Sequence, residues 1–110
     1  MTRLEQLQKY LAEQPNDAFL LFAIAKEYEG LGDTQLALKH YLTLRETTPQ
    51  YVGLYYHLGK LYEKLAQVDK ALETYKTGMI VAKKEKDMHA YSELMGAKMN
   101  VSDEDDEDDY

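Results

Sequence analysis

The chain has 110 residues, with 13 basic and 20 acidic side chains and no cysteine. That length suits one modest core, burying about 60 to 65 per cent of the surface of the unfolded chain, and the missing cysteine excludes disulfides and thiolate metal sites. The net charge of −7 sits in one place: Asp103 to Asp109 are seven consecutive carboxylates, and without them 13 acidic groups face 13 basic ones. A surface so balanced has no field to draw in nucleic acid.

The first stretch, MTRLEQLQKYLAEQ, alternates charge with leucine and has no apolar run of the kind a signal peptide or membrane span needs. A soluble, cytoplasmic protein with no membrane contact is the expectation. Leu4, Leu7 and Leu11 stand at helical spacing and predict a short helix over 2–13, ahead of Pro15.

Pro15 and Pro49 are 34 residues apart, and sliding residues 18–49 onto 52–83 gives nine identical pairs in 32 positions. They include Lys26/Lys60, Tyr28/Tyr62, Glu29/Glu63, Ala37/Ala71 and Tyr41/Tyr75. In the first copy Leu21, Ile24, Ala25, Tyr28 and Leu31 fall on one helical stripe. Gly32-Asp33 then makes a turn, with Asp33 or Thr34 as the next N-cap, and Leu36, Ala37, Tyr41 and Leu44 form a second stripe. The second copy repeats this with Tyr55, Leu58, Gly59, Tyr62 and Leu65, and turns at Ala66-Gln67 without glycine. Small residues at 25, 59, 37 and 71 let helices approach, with tyrosines beside them. Beyond the repeats, Met88, Tyr91, Met95 and Met99, with Leu94 next to them, predict a last helix. Six helices are expected, near 2–13, 17–31, 34–47, 51–65, 68–84 and 87–99.

Leu21-x2-Ile24-Ala25-x2-Tyr28, then Ala37-x3-Tyr41 and Pro49, with the equivalent run from Tyr55 through Tyr75, resembles the tetratricopeptide repeat. The resemblance covers roughly residues 16–84. Leu21 and Tyr55 stand where the family often has tryptophan, and Lys83 stands where a closing proline is expected, so the second repeat's last helix should run on toward Lys86. The implied fold is an all-α, right-handed α-solenoid of antiparallel helix hairpins. It holds two full repeats, about 18–51 and 52–85, between an N-terminal half-repeat helix and a C-terminal capping helix at 87–99. Residues 1–100 form the domain, and 101–110 read as a disordered acidic tail, because adjacent carboxylates repel and have no apolar residue to bury.

Little here suits catalysis. His40, His57 and His89 lack ligand spacing, the glycines are scattered singly, and the acidic end lacks the glycine of a calcium loop. No enzyme activity, cofactor or metal is expected. The resemblance implies instead a concave groove, lined by the first helix of each hairpin, that holds a peptide or segment of a protein partner. The residues on that face are Phe22 and Lys26 from the first repeat and Tyr56, His57, Lys60 and Lys64 from the second, with Ala23, Glu29 and Gly53 among them. Phe19 is a secondary candidate that has a competing place against Leu7 and Leu11. An aromatic pair beside a lysine pair offers apolar pockets and cations for a carboxylate. The asparagines that co-chaperone repeats use to clamp a C-terminal carboxylate are missing: Lys26 and His57 occupy their places.

Three roles stay open at this stage. The chain is a protein-interaction scaffold working through the groove; or an adaptor or chaperone-like protein recruiting a basic partner through Asp103 to Asp109; or a groove closed by its own acidic tail. Self-association as a homodimer through an exposed repeat end is also compatible with so short an array.

Overall fold

A computed structural model describes residues 1–102; of the stretch 101–110 expected to be a disordered tail, Val101 instead closes the last helix and Ser102 caps it, its amide donating to the Lys98 carbonyl, while 103–110 lie outside the described residues. The described residues form six α-helices and no strand. They are α1 (Arg3–Glu13), α2 (Ala18–Gly30), α3 (Thr34–Thr47), α4 (Gly53–Lys64), α5 (Val68–Lys84) and α6 (Met88–Val101). None of them is long and apolar enough to cross a membrane. The chain divides into two compact units, Met1–Leu54 and the part from Tyr55 onward, as expected of hairpins that each bury an apolar face locally.

The helix starts are written in the sequence. Thr2 accepts from the Glu5 amide while the Glu5 carboxylate accepts from the Thr2 amide, a reciprocal cap that also holds the Glu5 carboxyl below its ordinary pKa. Asp17, Asp33 and Asp87 cap α2, α3 and α6 by accepting from the amides of Leu20, Leu36 and Ala90. Gln67, ahead of α5, makes no such bond. Three helix–helix turns pass through the left-handed region, at Gly32 (φ 81°), Ala66 (φ 61°) and Lys86 (φ 61°). Ala66 therefore adopts the turn that Gly32 adopts one repeat earlier, without glycine's freedom. With no proline after the second copy, α5 runs to Lys84, three residues beyond the position equivalent to the end of α3.

In the first unit α1 packs on α2 and α2 on α3. Leu7, Leu20, Ala23 and Ile24 form a buried cluster, with Leu4, Leu11 and Tyr28 against it. Arg3 pairs with Glu27 at 2.8 Å, and the Gln8 amide donates to the Tyr28 hydroxyl at 2.8 Å. Ala25, Ala37, Tyr41 and Leu44 are fully buried.

The second unit is assembled around two glycines. A Cβ on Gly59 would lie 2.2 to 2.7 Å from the Tyr75 ring, and one on Gly78 would lie 2.5 Å from the Tyr55 Cβ and 3.0 Å from Leu94 Cδ1. The equivalents of Tyr55 and Gly78 in the first unit are Leu21 and Leu44, both buried. A large residue on the first helix is thus matched by a small one on the second.

Two stripes depart from the expected phase. Leu31, assigned to the packing stripe of α2, is 67% exposed, because α2 ends at Gly30 and Leu31 already belongs to the turn. In α6 the buried residues are Leu94 and Ala97, whereas Met88, Met95 and Met99 face outward. The hollow above Gly78 takes Leu94, which fixes the rotation of α6 and turns the methionines away.

Candidate partner-binding surface

In the first unit the candidate face runs along α2 at 19, 22 and 26, spacings that share one side of a helix. Phe19 is 61% exposed, so it does not pack under α1 against Leu7 and Leu11. Phe22 is half-buried. Its ring meets Tyr41 edge-on at 6.2 Å and Tyr51 at 5.3 Å, so the aromatic is held from two sides. Exposed Lys26 places its ammonium 5.7 Å from the centre of that ring. Tyr51 was not foreseen as part of this face. Burial, and then the Asp17 carboxylate, push its phenol up, which ties the start of α2 to the segment before α4. Gly53 is exposed at the edge of the same cluster, where a Cβ would touch Tyr51 and Phe22 at ordinary contact distance. Ala23, assigned to the open face, is buried in the α1–α2 cluster instead.

In the second unit the same pairing recurs on α4. Half-buried Tyr56 has the Lys60 ammonium 5.6 Å from its ring centre and meets the His57 ring edge-on at 5.6 Å. Lys60 also pairs with Glu63 at 3.7 Å, and Lys64 is exposed in the last turn of the helix. Each ammonium–ring contact is worth about 0.5 to 1 kcal/mol at such exposure, enough to bias the lysine's position and little enough for an incoming carboxylate to redirect it.

Behind each pair lies a buried tyrosine. The Tyr41 hydroxyl donates to Glu29, and the Tyr75 hydroxyl donates to Glu63. Burial first, and then the bond to the carboxylate, push both phenols well above their ordinary pKa. The 34-residue comparison marks Glu29/Glu63 and Tyr41/Tyr75 as matched pairs. It gives no sign that they bond to each other, because the partners are 12 residues apart on different helices.

The remaining histidines hold ordinary local contacts. His40 Nδ1 is 2.8 Å from the Leu36 carbonyl, and its ring lies on Tyr28 at 5.4 Å. His89 is 3.7 Å from Glu93 on the same helix. Among the described residues no three His, Asp or Glu side chains gather as a metal site.

The tetratricopeptide repeat family profile matches residues 52–79, the second repeat. The tetratricopeptide repeat domain protein of Salinibacter ruber, in its crystal structure, is 44% identical at a TM-score of 0.75, over 77% of this chain and 94% of that one. The chain belongs to the tetratricopeptide repeat family. Among the family's curated members, a TPR repeat-containing protein of Pseudomonas aeruginosa is 29% identical over 83% of this chain and 87% of its own length. Anaphase-promoting complex subunit 3 of Dictyostelium discoideum is 28% identical over 97% of this chain, which spans 11% of that larger protein. Tetratricopeptide repeat proteins generally mediate protein–protein interactions and are typically non-catalytic.

Proposed function

We propose that this tetratricopeptide repeat protein is an interaction scaffold that binds a segment of a partner protein on the exposed faces of α2 and α4. The observation that carries the reading is the repeated pairing of a fixed aromatic with a lysine, Phe22 with Lys26 and Tyr56 with Lys60, next to a phenylalanine left largely in water at position 19. Such a surface suits a segment carrying an apolar side chain and a carboxylate: the rings supply contact area, and the ammonium groups, with Lys64 and His57 beside them, supply charge.

The test begins with a displayed peptide library selected on the full chain, followed by calorimetric titration of the selected peptides. Phe19→Ser combined with Lys26→Glu and Lys60→Glu is expected to weaken binding at least about tenfold, or about 1.4 kcal/mol, with the melting temperature little changed because all three side chains are surface ones. Affinity should survive the change from low to physiological salt, since apolar contact is not screened. Peptides that bind the triple variant as well as wild type, and lose binding when residues 103–110 are removed, would move recognition to the acidic end.

A further inference from the structure

The 34-residue equivalence pairs Phe22 with Tyr56 and Lys26 with Lys60, but the side chains around these shared positions differ between the two helices. On α2 the neighbours are exposed Phe19 and buried Ala23, where α4 has Gly53 and His57. Gly30, at the end of α2, stands where α4 has Lys64. One helix therefore carries the additional ring and the other the additional basic groups.

The charges divide the same way. α2 and its cap hold one cation, Lys26, and three carboxylates, Asp17, Glu27 and Glu29. Glu27 is taken by Arg3 at 2.8 Å, and Glu29 accepts from Tyr41. Tyr51, whose ring lies 5.3 Å from Phe22, has its phenol raised first by burial and then by Asp17, so a carboxylate already acts on these rings. α4 holds Lys60, Lys64 and His57 against a single carboxylate, Glu63. That carboxylate accepts from the Tyr75 hydroxyl and pairs with Lys60 at 3.7 Å, while Lys64 is exposed at the helix end. Steps of three and four residues place 57, 60 and 64 on one side of α4.

We propose that the two helices read different chemistry in one acidic protein segment: α2 seats its bulky apolar side chain on Phe19, Phe22 and Tyr51, and α4 holds its carboxylates with Lys60 and Lys64, His57 beside them. This rests on the partner surface proposed above and adds which helix recognises which group. Lys26 then covers the Phe22 ring, its ammonium 5.7 Å from the ring centre, and is not the carboxylate's anchor. A carboxylate brought to α2 would add to the three already on that helix and its cap, and such a like-charge juxtaposition works against binding. An apolar side chain brought to α4 would find one half-buried ring, Tyr56, with a lysine over it.

Selection of a random displayed peptide library, run in parallel on the full chain and on its variants, tests the division. The pool selected on wild type should be enriched both in Asp and Glu and in large apolar residues. Selection on Lys64→Gln, and more strongly on Lys60→Gln/Lys64→Gln, should lose the acidic enrichment and keep the apolar one. Phe19→Ser should do the reverse, and Lys26→Gln should keep both. Calorimetric titration of one peptide selected on wild type then measures the coupling. Replacing its acidic residues by Gln and Asn should weaken binding at least about fivefold on wild type and on Lys26→Gln, and less than about twofold on Lys60→Gln/Lys64→Gln. Lys64 and Phe19 are exposed, so Lys64→Gln and Phe19→Ser should melt as wild type does and keep the test decisive if the loss of Lys60 disturbs Glu63. Acidic residues that couple to Lys26 instead, or neutral peptides selected as readily as acidic ones, overturn the division while leaving the surface in place. Peptides whose affinity none of these variants changes overturn the surface itself, and the division with it.

Discussion

Glu29 and Glu63 connect the interior of each repeat to its outer face. Each accepts from a buried tyrosine, and Glu63 also pairs with Lys60, whose ammonium lies over Tyr56. Tyr75, Glu63, Lys60 and Tyr56 thus form one polar chain from the core to the solvent. Replacing Tyr41 or Tyr75 by Phe leaves a half-buried carboxylate short of its donor and should cost about 1.5 to 3 kcal/mol in urea denaturation at neutral pH. Both phenols are raised above the ordinary tyrosine value of 10.0, so below pH about 10 they are protonated in both folded and unfolded chains and their contribution to stability does not change with pH. Above that pH the unfolded chain loses protons that the folded chain keeps, and stability falls as pH rises. The Tyr41→Phe/Tyr75→Phe double variant should therefore be less stable at pH 8 and show a shallower alkaline decline, measured as denaturation midpoints between pH 8 and 11. At Gly59 a methyl group would enter the Tyr75 ring, and Gly59→Ala should cost about 2 to 3 kcal/mol, close to the overpacking limit. The glycine was visible in the sequence as a small residue in a helical stripe. Tyrosines were expected beside it; that Tyr75 is the one lying on it was not legible, since the matching position in the first repeat is Ala25, which tolerates a Cβ.

For whole helices, periodicity told more than phase. The 3.6-residue pattern located all six helices, and Gly32 and Asp33 marked the turn between α2 and α3. α6 was different: Met88, Tyr91, Met95 and Met99 repeat at helical spacing, and so do Ala90, Leu94, Ala97 and Val101, so composition alone favoured the larger side chains as the buried set. The decision came from α5, where Gly78 leaves a hollow that Leu94 enters. Leu94→Ala should accordingly cost about 2 to 4 kcal/mol in thermal or urea unfolding, whereas Met99→Lys at 63% exposure should fall within about 0.5 kcal/mol of wild type. The turn before α5 gives the opposite sign. Ala66 sits at φ 61°, a conformation that L side chains resist by about 1 kcal/mol. Ala66→Gly should raise stability by about 0.5 kcal/mol after the greater freedom of glycine in the unfolded chain is subtracted.

For the molecule as a whole, the 34-residue self-comparison was the most informative signal, because it carried both the family and the equivalence of Phe22/Lys26 with Tyr56/Lys60. It could not show that Phe22 is gripped between Tyr41 and Tyr51, a contact between residues far apart in sequence. Nor could it show that Phe19 stays in water. The family supplies a protein that binds other proteins; the aromatic–lysine pairs on α2 and α4 supply the place proposed for it. The most direct measurement is a ¹⁵N-resolved NMR titration of the full chain with a library-selected peptide. The account predicts the largest shifts at Phe19, Phe22, Lys26, Tyr56, His57, Lys60 and Lys64, with α6 little affected. Shifts centred on Met88, Met95 and Met99 would contradict it.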